Sequence, residues 1–107
     1  MAKYQKIPNN YTVGGQDIEV LHVDYITNEN NGKTPNSALG QCFLSEGYVK
    51  IRNTQTETSK HNTFYHELIH SILETMCHNL NDDEGFVSTF AGFLTEAMKD
   101  AYFKVEE

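Results

Sequence analysis

The chain has 107 residues, 38% hydrophobic and 11% aromatic, enough for one core but too few for two lobes around a deep cleft. Its 8 lysines and arginines against 15 acidic residues give a formal net charge of −7, which argues against nucleic-acid binding and reads first as conferring solubility, with a basic peptide partner as the other account. No apolar run approaches the ~20 residues of a membrane span, and the start from Met1 to Lys6, followed by Pro8, lacks the apolar core of a signal peptide, so a single domain, 1–107, in the cytoplasm is expected.

Residues 11–13 read as a strand, Gly14-Gly15 as a turn, and 17–26 as a second strand carrying Ile18, Val20, Leu21, Val23, Tyr25 and Ile26. The run from Thr27 to Ser37, rich in asparagine with Gly32 and Pro35, has loop chemistry and is expected to be mobile. A second hairpin is expected from 39–44 and 48–52, joined by Ser45-Glu46-Gly47, with Gly40 permitting close backbone approach. Polar residues 53–60 then link sheet to helix. Cys42 and Cys77 lack the spacing of a thiolate metal site or redox motif, so both are expected to be buried free thiols.

In residues 62–77, Tyr65, Leu68, Ile69, Ile72, Leu73 and Met76 recur at three and four, the rhythm of an amphipathic helix. A turn at 78–81 leads to a second helix over 82–103, with Phe86, Val87, Phe90, Ala91, Leu94, Ala97, Met98 and Ala101 toward the core. So short a turn makes the two helices antiparallel neighbours, and Ala91 and Gly92 would let them approach closely. Lys104 to Glu107 are expected to fray. The fold class is therefore α+β: a short antiparallel sheet of three or four strands, then two antiparallel helices.

Within the first helix stands His66-Glu67-Leu68-Ile69-His70. Four-residue spacing puts both imidazoles on one face, a turn apart, where they can share a zinc ion, and Glu67 is placed to take a proton from water. On a helical wheel the histidines lie at the border of the apolar arc, with Glu67 further round toward solvent. A small zinc-dependent hydrolase, acting on peptides, is the first reading.

Catalytic zinc needs a third protein ligand and an open fourth position. The candidates are Asp82, Asp83, Glu84, His78, His61 and His22. Glu84 is preferred, since it opens the second helix at the edge of its apolar face. His78 lies eight residues past His70, ~12 Å along a straight helix and out of reach. A different account of the same acidic residues is helix capping: Asn81-Asp82-Asp83-Glu84 has the form of a capping box, and acidic groups suit a helix start.

The first motif, followed by Glu84-Gly85-Phe86-Val87 on a second helix, resembles the gluzincin group of zinc metallopeptidases, and most closely its compact single-domain members and small phage or prophage-encoded zincin-like proteins. The likeness spans roughly residues 39–98. It implies a zincin-like domain with zinc held by His66, His70 and Glu84 and with Glu67 as general base for peptide-bond hydrolysis. The chain departs from the larger members in lacking a second lobe and in its shorter interval between second and third ligands.

By that resemblance, Glu67 accepts a proton as water attacks the peptide carbonyl and returns it to the leaving amine. Tyr65, His61, His78 or Tyr48 would add a hydrogen bond to the oxyanion, with nothing in the spacing to choose among them. An extended substrate would pair with an edge strand, for which 39–44 is the candidate. Glu74 falls on the polar face near the site, where a solvated carboxylate is the simpler account. The rival function is a zinc-stabilised interaction module without turnover, and a third reading has ordinary helix histidines and no metal. Glu67 separates the first two in part, because a structural site needs no base and normally closes its fourth position.

Overall fold

The computed structural model describes residues 6–26 and 39–100. The expected loop at 27–37 and the expected fraying at 104–107 lie outside them. Strands β1 (Asn10–Val13) and β2 (Gln16–Val23) form an antiparallel hairpin. Its two-residue turn is built on Gly14 and Gly15 with φ of 59° and 82°, the doubly left-handed pair that matches the twist of a tight hairpin. Strands β3 (Gly40–Phe43) and β4 (Tyr48–Arg52) form the second hairpin. Leu44–Glu46 is a short 3-10 turn rather than strand, closed by Gly47 at φ 83°.

The expected α+β class holds, but the sheet is mixed rather than antiparallel throughout. Its order is β1-β2-β4-β3, with β2 and β4 parallel in the middle. Burial explains the arrangement. Ile18 and Val20 on β2 and Val49 and Ile51 on β4 are all 5% exposed or less, whereas β3, with Gly40 and Gln41, has no fully buried side chain and takes the edge. Ile26 is also buried, though β2 ends at Val23 and not at 26.

Helix α1 (Glu57–Thr75) begins five residues before the expected start at 62. Thr56 caps it, its side chain accepting from the Ser59 N–H at 3.2 Å. The first turns carry no apolar stripe, so hydrophobic periodicity could not mark them. One side of α1 lies on the sheet, where Phe64 joins Ile18, Val20, Val49 and Ile51. The adjoining side packs on α2 (Glu84–Asp100), where Ile69 and Leu73 meet Val87 and Ala91. Ile72 and Met76, expected in the core, are 39% and 62% exposed.

At the end of α1 the chain reverses through Cys77, which holds φ 54°, a left-handed position usually given to glycine. The His78 N–H then bonds the Leu73 carbonyl at 2.9 Å, and a 3-10 turn, Asn79–Asp82, leads into α2. Cys77 is exposed and Cys42 half-buried, so the expectation of two buried thiols fails at Cys77. On α2 the buried row is Val87, Ala91 and Thr95, four residues apart. Phe90 is 47% exposed and Ala97 exposed, against expectation; Ala101 lies outside the described residues. Gly92 is not at the close approach, since an added Cβ there would meet nothing within 4 Å. No helix of the described residues is long and apolar enough to cross a membrane.

Candidate metal centre

Helix α1 sets His66 and His70 one turn apart, with ring centroids 4.8 Å apart and planes inclined by 64°. Their Nε2 atoms are 3.2 Å from each other. The reversal after Cys77 brings the start of α2 back level with this pair. Glu84, the first residue of α2, places Oε2 3.2 Å from His66 Nε2 and Oε1 2.8 Å from His70 Nε2. Among the described residues this is the one His/Cys/Asp/Glu group compact enough to hold a metal ion.

The donor set fits a small divalent cation. Ligands about 2.0–2.1 Å from a tetrahedral zinc ion stand about 3.3 Å from one another, and the separations here are 3.2, 3.2 and 2.8 Å. Each atom involved also presents a lone pair. His70 Nδ1 lies 2.8 Å from Asn81 Oδ1; that oxygen only accepts, so Nδ1 carries a proton, and in the neutral ring Nε2 is left as a lone pair facing Glu84 and His66. His66 has its pKa lowered, chiefly by burial with His70 adding to it and Glu84 opposing, so its imidazole is neutral at neutral pH, as ligation requires. The two imidazole nitrogens and the two carboxylate oxygens, this close, repel one another unless a cation or a proton lies among them.

The capping alternative resolves at Asp83. Its Oδ1 accepts from the Phe86 N–H at 2.9 Å, making it the cap of α2 and leaving the Glu84 side chain to the histidines. Asn81 orients His70 instead of capping. Nothing in the motif signalled that role; its only sequence cue was a short polar residue in the turn between two helices. The other candidates lie elsewhere. Asp82 is exposed in the 3-10 turn, and His78 accepts from the Leu80 N–H at its start. His61 is buried near the beginning of α1 with Nδ1 on the Glu57 carbonyl at 2.9 Å, and His22 shares a separate cavity with it.

Glu67 departs most from expectation: it is 5% exposed and faces the sheet rather than solvent. The wheel placed it outside the apolar arc, but the arc marks only the α2 side, and β3 covers the other. Gly40 makes that cover possible. A Cβ there would collide with the Thr63 methyl and come within 2.9 Å of Glu67 Oε2, so the expected close backbone approach is realised against the glutamate itself. Burial raises the pKa of Glu67 to about 7, with His70 opposing the rise and Glu84 adding to it. No buried side-chain nitrogen or oxygen lacks a partner, and no hydrogen bond holds this carboxylate among the described residues. The residue lines the depression above it.

That depression, of about 270 Å³, is lined by Gly40, Cys42 and Glu74 together with Glu67 and the three-donor group. The four residues considered for the oxyanion do not line it. Tyr48 bonds Glu46 at 2.9 Å, and Tyr65 packs between the two clusters of the core. No family model, curated protein sequence or solved structure matches the chain.

Proposed function

We propose that the chain is a zinc-dependent peptidase, with His66, His70 and Glu84 as metal ligands and Glu67 as general base. The observation that carries this is the buried Glu67 carboxylate opening into the same depression as a three-donor group with no fourth protein donor among the described residues. A structural zinc site gains nothing from such a carboxylate and normally closes its fourth position. Zinc bound there would supply Lewis acidity, polarising a carbonyl and acidifying water toward a pKa of ~7.

The residues of the chain then divide the remaining work. Glu67, with a pKa of about 7, sits where a base both takes a proton from water and releases it to a leaving amine. Asn81 keeps the lone pair of His70 on the site, and the Thr63 and Gly40 contact fixes the distance between Glu67 and β3. As an edge strand beside Glu67, β3 offers an extended peptide backbone groups that are unpaired among the described residues. The short chain and shallow site suit an exposed segment of a protein rather than a deeply inserted one.

Metal analysis of the purified chain, paired with proteolysis of a denatured protein mixture, tests the reading. The expected result is one zinc per chain, weakened by Glu84→Ala, and cleavage that Glu67→Gln lowers by a factor of ~100–10,000 while zinc is retained. Stoichiometric zinc without cleavage by the wild type would assign the chain to the non-catalytic module, and a folded, zinc-free protein would remove the metal altogether.

A further inference from the structure

A second depression, of about 300 Å³, flanks the first and is lined by Leu39, Asn62, Thr63 and Ser88. Both also include Gly40, His66 and Glu67. They are therefore two halves of one groove that runs beside β3 and crosses over the metal centre. Their chemistry differs. The half containing Leu39 is bounded by an amide, two hydroxyls and an aliphatic side chain, with no charge of its own beyond the shared residues.

The other half carries two further carboxylates, Glu74 and Glu84. Glu84 belongs to the three-donor group, so its charge would be spent on a cation held there. Glu74 is one turn beyond His70 on α1, is exposed, and its carboxylate makes no hydrogen bond or ion pair among the described residues. Its negative potential is felt across the groove, for it contributes to the raised pKa of Cys42 on the opposite wall, behind burial and Glu67.

We propose that the groove selects substrates with a lysine or arginine on the Glu74 side of the scissile bond and an uncharged residue on the Asn62 side. The proposal rests on the peptidase reading above and names the substrate class for it. Glu74 is the specificity-determining residue: a cationic side chain lying in the half-groove reaches a carboxylate that no described residue neutralises, while an acidic one meets repulsion. The acidity of the chain as a whole, with a net charge of −7, draws the same class of peptide toward the site.

Hydroxamate peptides binding the zinc-loaded full chain test this without requiring turnover. Two series are needed, one extending each way from the hydroxamate, with arginine, alanine or glutamate beside it. The expected result is that one series binds arginine at least ~10-fold tighter than glutamate, about 1.4 kcal/mol, and the other binds alanine best. Glu74→Lys should invert the first preference and leave the second unchanged, with Glu74→Gln between; the position is exposed, so unchanged melting temperatures verify the fold. Equal binding of arginine and glutamate in both series, a preference unmoved by Glu74→Lys, or no hydroxamate binding at all would overturn the proposal. A preference that follows Glu74 in a protein that cleaves nothing would overturn the peptidase reading alone and leave the groove assignment standing.

Discussion

The two buried sides of α1 are made of different materials. Toward α2, Ile69 and Leu73 meet Val87 and Ala91 in a dry apolar seam. Toward the sheet, Phe64 shares its side with His61, Thr63, Glu67 and Ser71, all buried. Most of these polar groups are satisfied at close range: His61 Nδ1 donates to the Glu57 carbonyl at 2.9 Å, Thr63 to Gln55 at 3.1 Å, and Ser71 to the Leu68 carbonyl at 2.7 Å while meeting the Tyr11 hydroxyl at 3.0 Å. Glu67 is the exception, buried with no donor to its carboxylate among the described residues. One side of the helix thus supplies stability, and the other uses some of it to keep an ionisable carboxylate beside the three-donor group.

Shortening a side chain on the apolar side breaks the comparison most directly. Ile69→Ala should cost ~2–5 kcal/mol, read as a lower denaturant midpoint, because a 5%-exposed side chain is lost from a packed seam. Zinc affinity of the remaining folded protein should change little, since the seam holds the helices together without touching the donors. The polar side should respond with the opposite sign. In metal-free protein, Glu67→Gln should raise stability, and the gain should depend on pH. The pKa of Glu67 is raised from 4.5 to about 7 in the fold, so its contribution is most favourable below pH 4.5 and is lost as pH rises through 7. Glutamine has no such slope. The variant should therefore match wild type near pH 4 and exceed it by roughly 3 kcal/mol near pH 8; thermal melts with a flat difference across that range would contradict the buried charge.

The same contrast explains what the sequence made legible. Tyr65, Ile69 and Leu73 announce the helix–helix seam by periodicity, and with them the helical spacing of His66 and His70, because apolar residues at three and four have one efficient use. That Glu84 would join the two histidines was readable since it begins a second helix that a short turn must bring back. The sheet side was not. Thr63, Glu67 and Ser71 look like a solvated face, and only tertiary contact with Gly40 and Tyr11 makes them interior. The parallel pairing of β2 with β4 was equally hidden, because hairpin signals specify which strands are joined and not which of two hairpin strands will lie inside the sheet.

Asn81 gives a finer test of how the polar elements support the site. It lies outside the three-donor group, yet its Oδ1 fixes the proton on His70 Nδ1. Asn81→Ala should weaken zinc binding by ~10–100-fold, measured by competition with a chelator, through loss of the tautomer and ring orientation. Asn81→Asp should recover much of the affinity, since a carboxylate also accepts from Nδ1–H. A loss that aspartate does not repair would mean that Asn81 acts through the turn geometry instead.

Thr56→Ala should show the smallest effect and separates the beginning of α1 from the site it carries. Removing the oxygen that accepts from the Ser59 N–H leaves a helix-start donor to solvent and should cost ~1 kcal/mol. Amide exchange should quicken in the first turn, around residues 57–60, where polar residues make no apolar seam to hold it. The metal centre lies almost three turns further along, anchored by α2 on one side and β3 on the other, so zinc affinity should be unchanged. A fall in affinity in step with the fraying would show that the polar row behaves as one unit from Thr56 to His70, with the buried His61 and Thr63 transmitting order along α1 to Glu67.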